Sequence, residues 1–254
     1  MTRLILYNIE YLQGNKGGKL EYLKFWRRVD HPKWLKVKLA NALRKHRPDI
    51  VSFLEVGGSS FMEDNYFDYF KKKLEMKYSV KRLKYKFTGG LSFLKKIPLL
   101  NDQTNGILSK KKISEPEVIY FKKGVKKAVI KVEVHVPQKV TLLLAHLALG
   151  ETVRKGQIDE LIKIVKGIKG PVILAGDFNT FGGEEEIKSL LKKAALNHEF
   201  KLHGGRTFTY PTKHPRRRLD YVLTSKDINV KKYDVLKMDF SDHLPVLVNF
   251  SVRK

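Results

Sequence analysis

Short apolar runs that stop at a polar residue constrain the fold of this chain more than any other feature. The run "LILYN" ends at Asn8, "IVSFLE" at Glu55 and "TLLLAH" at His146, and "VILAGDFN" carries Asp177 and Asn179. Apolar runs of this length, bounded by turn residues, are typical of buried strands. Ligands of open α/β sheets lie beyond the carboxyl ends of the strands, so these runs predict one shared rim of polar residues.

Two segments near the C-terminus place similar residues at the start of strands. "RRLDYVL" contains Asp220, and "FSDHLPV" contains Asp242 and His243. An antiparallel placement of these strands would bring the three side chains to the same rim. Within "GDFN", strand alternation predicts that Asp177 and Asn179 point to the same side, and the preceding glycine is expected to let the backbone pass close to a neighbouring strand or to phosphate.

The rest of the chain alternates strand and helix patterns. The sequence predicts strands at 4–8, 50–55, 107–109, 129–136, 140–146, 172–177, 220–224 and 246–252, and helices at 34–46, 66–74, 151–166 and 185–196. The stretch 128–147 is typical of an antiparallel hairpin. Mixed hairpins and strand–helix–strand units indicate an α/β fold with mixed sheets and helices outside, and we expect residues 1–254 to form a single domain.

The composition excludes several classes of protein. The chain has 254 residues and no cysteine, which rules out a disulfide scaffold, a zinc–thiolate site and a cysteine nucleophile. No apolar stretch reaches the roughly 18–20 residues of a membrane helix, and the N-terminus has no cleavage site of the secretory kind. We therefore expect a cytoplasmic protein, with no protein partner, that is a monomer.

The charge of the chain is strongly unbalanced. It has 51 Lys and Arg residues against 26 Asp and Glu, a formal net charge of +25. Such a surface attracts polyanions, whether nucleic acid, anionic lipid headgroups or phosphorylated small molecules. Solubility, or the ion-rich composition of a heat-adapted protein, is the alternative explanation. The basic clusters are scattered along the chain, which favours a basic face on a folded body over a detachable arm.

The polar residues at the predicted rim have a common chemical logic. Carboxylates and an Asn carbonyl are hard oxygen donors suited to Mg²⁺ or Mn²⁺, and histidines serve as acid or base. Together they could cleave a phosphate ester with a metal ion and an oriented water. Taken singly, Asp177 could be a turn residue, His146 a core histidine and Glu55 a solvated loop residue. Their joint occurrence favours a site.

The motifs resemble those of a known family. The stretches "YNIEYL", "RPDIVSFLEV", "NGILSK", "LLLAHLALG", "GDFN", "RRLDYVLTS" and "SDHLPV" occur between residues 4 and 252 in the order of the endonuclease/exonuclease/phosphatase superfamily. The resemblance implies a four-layer α/β sandwich, in which two mixed sheets pack face to face with helices on the outside. It also implies a metal-dependent hydrolase of phosphate esters.

The resemblance further implies a metal site. Glu55 would be the principal ligand of Mg²⁺ or Mn²⁺, and Asn8 would sit beside it. Asp242 would assist the metal or the catalytic histidine. Glu10 stands where many members carry Asn, Asp or Glu, so it would reach a second metal position.

Catalytic roles follow from the same resemblance. Asp177 would orient or deprotonate the attacking water, and Asn179 would hold the scissile phosphate. His243 would contact the phosphate as acid or base, with Asp220 fixing its tautomer. His146 would lie on the leaving-group side. Abasic-site endonucleases carry Tyr at that position, so the chain is more similar to the deoxyribonuclease, sphingomyelinase and phosphatase branches.

Three hypotheses for the substrate remain open. A nuclease would need a basic rim with aromatic residues; candidates in "KRLKYKF" and "TFTYPTKHPRRR" are Tyr85, Phe87, Tyr210, Arg216 and Arg217, although "PRRR" could be a solvated loop. Arg154, in "TVRKGQ", is either a substrate contact or a buried structural arginine.

The second hypothesis is a phosphatase or a phospholipase C-like enzyme. Such an enzyme could use the apolar segment 89–100 on an anionic membrane surface, unless that segment is an ordinary strand and turn. The third hypothesis is a non-catalytic binding module that kept the fold and lost the chemistry.

Overall fold

The structure is a computed structural model that describes residues 1–12, 33–57, 66–83, 104–124, 128–200 and 207–253. Helices α1 to α4 span Lys33–Lys45, Tyr66–Lys73, Glu151–Lys166 and Lys188–Lys193, and short 3₁₀ turns span Glu10–Leu12 and Glu184–Ile187. Strands β1 to β12 span Thr2–Asn8, Ile50–Leu54, Tyr78–Leu83, Thr104–Ser109, Glu117–Tyr120, Ala128–Val136, Gln138–His146, Val172–Asp177, Leu196–Asn197, Asp220–Ser225, Ile228–Val235 and Val246–Val252.

The described strands form two six-stranded mixed sheets. The first has the order β11-β12-β1-β2-β4-β3, and the second has the order β5-β6-β7-β8-β10-β9. Each sheet contains one parallel pair near its centre, β1 with β2 and β7 with β8, and its other pairs are antiparallel. The parallel pairs place the carboxyl ends of four apolar runs at two adjacent points, as the sequence pattern predicts.

Strand alternation divides the core into three apolar layers. Leu4 and Leu6 of β1 face the second sheet and pack in one cluster with residues such as Leu144 of β7. The alternate residues of β1 pack against α1 and α2. The outer face of the second sheet packs against α3 and α4. The expected four-layer α/β sandwich, with helices outside two facing sheets, is therefore confirmed.

Helix α3 has the bounds that the sequence predicts. Its apolar positions Ile158, Leu161, Ile162 and Val165 recur with helical spacing and are all buried. Gly150 precedes the helix and Gly167 ends it, and the N–H of Gly167 caps the last carbonyls. The helix lies on the second sheet directly after His146 and the short loop that follows it, so it anchors that loop.

The predicted helix at 185–196 is wrong in part. The segment forms a 3₁₀ turn, then α4, and then the short strand β9 at Leu196–Asn197. Ala195 has φ of 50°, which breaks the helix and turns the chain. Leu196 is then buried against β10, where it contributes to the core.

Four strands have no counterpart in the sequence prediction: β3, β5, β9 and β11. They are the outermost strands of the two sheets. The segment 89–100, Tyr85 and Phe87 lie outside the described residues. Within the described ranges, no helix has both the length and the apolar content needed to cross a membrane. The single-domain organisation stays a prediction.

Candidate active site

The two parallel strand pairs bring four predicted residues to one rim. Asn8 is the last residue of β1 and lies level with Leu54, so Glu55 follows one position beyond it. His146 and Asp177 end β7 and β8 and lie directly opposite one another. The two sheets face each other, and these two points meet between them.

Gly176 allows β8 to lie close to β7 just before Asp177. A Cβ atom at this position would lie 2.0 Å from the carbonyl oxygen of Ala145 in the neighbouring strand. The prediction that this glycine serves a close backbone approach is thus confirmed for the strand neighbour. The close approach fixes the distance between the ends of β7 and β8, which carry His146 and Asp177.

Asp177 is the centre of the cluster. The residue is 1% exposed. Its carboxylate accepts a hydrogen bond from Asn8 Nδ2 at 3.0 Å, and this bond joins the two sheets. His146 Nε2 lies 3.3 Å and His243 Nε2 lies 3.8 Å from the same Asp177 Oδ2 atom. The arrangement brings two imidazoles to one buried carboxylate.

Asn179 lies beside Asp177 because of a tight turn and not because of strand alternation. Strand β8 ends at Asp177, and Asn179 has φ of 52°, so strand alternation does not extend to it. Its backbone N–H donates to Asp177 Oδ1 at 3.0 Å, and its side-chain Nδ2 donates to the carbonyl of Leu147 at 2.8 Å. The alternation argument was therefore wrong, although a tight turn still places the two residues together.

Asp220 and His243 form the most closely bonded pair. Asp220 begins β10 opposite Asp177, and its Oδ2 lies 2.7 Å from His243 Nδ1. Burial alone would lower the pKa of His243, but the carboxylates of Asp220, Asp177 and Asp242 outweigh it and hold that pKa well above its ordinary value. Burial raises the pKa of Asp220, and the neighbouring His243 opposes that rise. The pair thus favours a positively charged imidazole next to Asp177.

Two hydroxyl groups that sequence reasoning missed hold this pair in place. Thr209 Oγ1 accepts hydrogen bonds from the backbone N–H groups of Leu219 and Asp220. Ser241 Oγ donates to the carbonyl of Asn8 at 2.8 Å and accepts from the N–H of His243 at 3.3 Å. Ser241 was visible in the sequence as the first letter of "SDH", whereas Thr209 gave no local signal.

Asp242 lies beside these groups and is buried. Ser241 Oγ is 3.2 Å from Asp242 Oδ1, and the backbone carbonyl of Asp242 accepts from the N–H of Thr212 at 2.9 Å. Asp242 also helps to raise the pKa of His243. Its position therefore suits the expected role of assisting the histidine as well as a metal ion.

Glu55 and Glu10 lie on the side of the first sheet, where the backbone leaves regular structure. Glu55 has φ of 52° and Glu10 has φ of 43°. The Glu55 side chain is 14% exposed, and its Oε1 lies 3.9 Å from His146 Nδ1. Glu10 is buried, and its N–H donates to Asn8 Oδ1 at 3.2 Å. The first sheet thus contributes an acidic, partly open side to the cluster.

The donors at this rim fit a hard divalent cation. Asp177, Asp220 and His243 offer ligand atoms that all lie within 4.8 Å of one another. The ligands expected from the sequence were Glu55, Asn8, Asp242 and Glu10, and within the described residues Glu55, Glu10 and Asp242 do not form a group of this closeness. The structure thus offers a buried group of two carboxylates and one imidazole that could hold a divalent cation.

Arg154 lies behind the rim and not on it. The residue is 2% exposed. Its Nε donates to Glu186 Oε2 at 2.6 Å, and its Nη1 donates to the carbonyls of Ala148 and Leu149. Of its two interpretations, the structure favours the buried structural arginine over the substrate contact, because Arg154 ties the loop after His146 and the 3₁₀ turn at Glu186 to α3.

Tyr210, Arg216 and Arg217 lie at the outer edge of the site. The rings of Tyr210 and His243 have centroids 5.1 Å apart. Arg217 Nη1 donates to the carbonyl of Phe181 at 2.6 Å, and the Arg216 side chain is exposed. The segment "TFTYPTKHPRRR" therefore forms a basic, aromatic border directly beside the buried cluster.

Comparison with known proteins identifies the family of this chain. A model of the Endonuclease/Exonuclease/phosphatase family matches residues 34–243. A "UPF0294 protein" of Vibrio campbellii is 31% identical over 115 residues, which are 44% of this chain and 39% of the Vibrio protein. The chain thus matches well under two thirds of the length of this curated relative, whose name states no activity.

Two solved structures illustrate the similarity in fold. An endonuclease/exonuclease/phosphatase from Beutenbergia cavernae has a TM-score of 0.73 at 17% identity, covering 99% of this chain and 72% of that one. The structure of D. rerio TDP2 complexed with single strand DNA product has a TM-score of 0.67 at 18% identity, covering 99% of both chains. At these identities the similarity shows the fold.

Proposed function

This chain belongs to the endonuclease/exonuclease/phosphatase family, and we propose that it is a phosphodiesterase that cleaves nucleic acid with Mg²⁺ or Mn²⁺. One observation carries the proposal: the buried carboxylate of Asp177 lies within 4 Å of an amide from the first sheet and of two imidazoles, one of which is bonded to Asp220. Such a cluster supplies a base, an acid and an anion-binding cation around one carboxylate.

The metal ion would be held by Glu55 and Asn8, with Asp242 and Glu10 nearby. A bound Mg²⁺ or Mn²⁺ supplies charge stabilisation at the phosphate oxygens in hydrolysis of this kind. Glu55 is the most open carboxylate of the group. Its partial exposure leaves room for the waters that such ions usually keep.

The remaining residues move protons and hold the phosphate. Asp177 takes a proton from the attacking water as the water oxygen bonds to phosphorus. The bond from phosphorus to the leaving oxygen breaks, and that oxygen takes a proton from His146. Asn179 uses one amide hydrogen on the carbonyl of Leu147, and in this proposal it donates the other to a phosphate oxygen.

His243 serves this chemistry as a cation. Its raised pKa favours the imidazolium form at neutral pH, and Asp220 holds the ring through Nδ1. The other ring nitrogen then points toward Asp177 and the phosphate. An imidazolium in this position stabilises the negative charge that develops on the phosphate oxygens.

Three observations support nucleic acid as the substrate. The chain carries a net charge of +25. The border of the site combines Tyr210 with exposed arginines, a combination that suits a phosphate backbone and its bases. A solved structure of the same fold, D. rerio TDP2, holds a single strand DNA product.

A panel of substrates tests the proposal. Purified protein with Mg²⁺ or Mn²⁺ is incubated with single- and double-stranded DNA, RNA, sphingomyelin vesicles, phosphoinositide vesicles and small phosphomonoesters. We expect cleavage of nucleic acid that EDTA abolishes. Hydrolysis confined to the vesicles or the monoesters would instead establish the phospholipase or phosphatase hypothesis, and binding without any hydrolysis would establish a non-catalytic module.

The salt dependence of binding separates electrostatic contacts from other effects. Replacing Arg216 with Ala should lower the slope of log affinity against log salt by about one, because one phosphate contact is lost. Lys112 is an exposed cation near the opposite end of the sheets, where its carbonyl bonds to His135, so Lys112→Ala is the matched control. Equal slopes for the two variants would exclude the arginine border from binding.

The predicted cytoplasmic location and monomeric state form part of this proposal. Light scattering on the purified chain would test the monomer. The predicted affinity for an anionic membrane surface is tested by sedimentation with phosphatidylserine vesicles. The chain is expected to need no protein partner, so the purified protein alone should be active.

A further inference from the structure

A cleft opens beside the catalytic cluster, at a place to which none of the catalytic residues contributes. It has a volume of about 370 Å³ and lies between the turn after β8 and the segment that leads into β10. Its walls include Phe181, Phe208, Arg216 and Arg217. This volume is at the low end for small-molecule sites, so the cleft suits one planar ring system better than a lipid.

Two phenylalanines in the wall are unusually exposed. Phe181 is 39% exposed and Phe208 is 46% exposed. Both rings line the same cleft, so they offer an apolar surface to a ligand at the border of a polar site. Aromatic faces of this kind stack on nucleobases, and they do so with every base because each base has a π-face.

Phe181 is held in place by its neighbours. Arg217 stacks over its ring, with the guanidinium carbon 5.4 Å from the ring centroid, and also bonds to its carbonyl. The next residue, Gly182, donates its N–H to Glu186 Oε1 at 2.7 Å. Glu186 in turn binds Arg154. The buried arginine thus fixes the turn that carries Phe181 as well as the loop after His146.

The ring of Tyr210 lies between the catalytic cluster and the Phe181 wall of the cleft. Tyr210 lies 5.1 Å from His243 and 6.2 Å from Phe181, measured between ring centroids, and meets Phe181 edge to face. A nucleotide whose phosphate lies against His243 would therefore place its base near Phe181. The cleft therefore adjoins the catalytic cluster and is not a distant exosite.

The charges of the cleft agree with such an occupant. Arg216 is exposed, and its guanidinium makes no hydrogen bond or ion pair within the described part of the chain. It can therefore reach a phosphate oxygen or the edge of a base. We propose that this cleft binds the nucleobase of the nucleotide that adjoins the scissile phosphate, with Phe181 as the stacking platform and Phe208 as the opposite wall. This inference rests on the proposed nuclease activity.

Oligonucleotides with a single missing base test the inference. A set of identical single strands carries one tetrahydrofuran abasic residue at successive positions, and the cleavage products are mapped. For the unaltered protein, removing the base next to the cleaved bond should lower kcat/KM by about 5- to 150-fold, the range that base–aromatic stacking gives. In Phe181→Ala, the ratio between the intact and abasic strands should fall close to one.

Two further variants make the result specific. Phe181→Trp keeps the stacking platform and should keep the ratio. Tyr78 is 37% exposed at the far end of the first sheet, so Tyr78→Ala removes an equally exposed ring elsewhere and should also keep the ratio. A ratio that survives in Phe181→Ala would overturn the inference, while the nuclease proposal would stand.

A binding measurement keeps the inference testable without turnover. In EDTA, the fluorescence of Phe181→Trp should be quenched by a nucleoside 5′-monophosphate and not by ribose 5-phosphate. Equal effects of the two ligands would mean that the ring contacts no base. Failure of the unaltered protein to cleave any oligonucleotide would instead refute the nuclease proposal itself.

Discussion

Each sheet has one parallel strand pair near its centre whose carboxyl end carries polar residues, but the two pairs differ in how these ends are built. Pair β7–β8 ends in His146 and Asp177, which lie level with each other inside regular strands. Pair β1–β2 ends in Asn8, and Glu55 follows one residue beyond the ladder with φ of 52°. We refer to them as the closed pair and the open pair.

The closed pair holds the side chains at its end in fixed positions. Gly176 lets its strands lie so close that no Cβ fits. Both oxygens of Asp177 accept hydrogen bonds, from Asn179 N–H and from Asn8 Nδ2. Groups that hold a proton at a defined atom need such rigid placement, since small displacements cost large factors in rate.

The open pair is built for an exchangeable occupant. Three consecutive residues after its first strand, Glu10 to Leu12, have positive φ, so the backbone leaves the rim at once. Glu55 keeps some exposure to solvent. A metal ion must enter with its waters, and such a site suits it better than the closed pair. The comparison agrees with the proposal that proton transfer belongs to the closed pair and the cation to the open pair.

The largest expected effect comes from the closed pair. Asp177→Asn keeps the shape and removes the base, so kcat should fall by about 10²- to 10⁴-fold, the usual contribution of acid–base catalysis. The activity on a DNA oligonucleotide is measured with rising Mn²⁺, and added metal should not restore it. Asp159→Asn on the exposed face of α3 is the matched control and should retain full activity. Recovery of Asp177→Asn at high metal would mean that Asp177 belongs to the cation.

A substitution in the open pair should change the metal dependence of activity more than the maximal rate. Glu55→Gln removes a charged ligand, so the Mg²⁺ concentration for half activity should rise on the order of 10- to 100-fold, as for other losses around a metal site. At saturating metal, much of the rate should return. A metal titration of activity, with isothermal calorimetry for binding, separates this result from a loss of kcat. Glu55→Gln with unchanged metal dependence would contradict the assignment of the cation.

The close strand approach of the closed pair should appear as stability. Gly176→Ala pushes a methyl group against the carbonyl of Ala145, so the free energy of unfolding should fall by about 1–3 kcal/mol, as in overpacked cores. Gly156→Ala is the control, because its Cβ meets nothing within 4 Å in the middle of α3. That control should gain about 0.5–1 kcal/mol from helix propensity. Urea denaturation measures both, and equal behaviour would refute the strained approach.

The smallest effect is the pH dependence of stability in the absence of metal. The pKa of His243 is raised above its ordinary 6.5 in the folded chain, so folding binds this proton more tightly. Stability from this source is fully present below pH 6.5 and is lost as pH rises through the higher folded pKa. The raised pKa of Asp220 likewise makes the stability fall as pH rises, over a lower pH range.

Urea denaturation in EDTA between pH 6 and pH 9 measures this slope. The free energy of unfolding should decline as pH rises, and His243→Gln should flatten the decline. A stability that rises over this range, or the same slope in the variant, would contradict the raised pKa.

Sequence patterns predicted the inner strands and missed the outer ones. Strands β8 and β12 have the predicted bounds; β8 is buried on both faces and begins with a continuous apolar run, and β12 begins with the buried run Val246–Val248. The missed strands β3 and β5 are half exposed and carry charged residues. Edge strands are commonly protected by charge in this way, which removes the pattern that would reveal them.

For the candidate site, the sequence identified the charged groups and not their supports. Asp177, Asp220 and His243 were all predicted, and the structure brings them together. Thr209 was missed because its hydroxyl acts on residues ten or more positions away. Arg154 could not be assigned from sequence, since only the fold shows that Glu186 lies against it.

The sequence by itself determined the layered fold and the types of side chain at the rim. Both follow from local patterns, because a buried strand is an apolar run and the rim residues are the polar residues at the ends of these runs. Only the tertiary structure decided how close those groups lie to one another. The distances among Asn8, His146 and Asp177 depend on the packing of two sheets against each other. So does the cleft at Phe181, which forms between segments that are far apart in the chain. Contacts between segments that are far apart in the chain cannot be predicted from local sequence patterns.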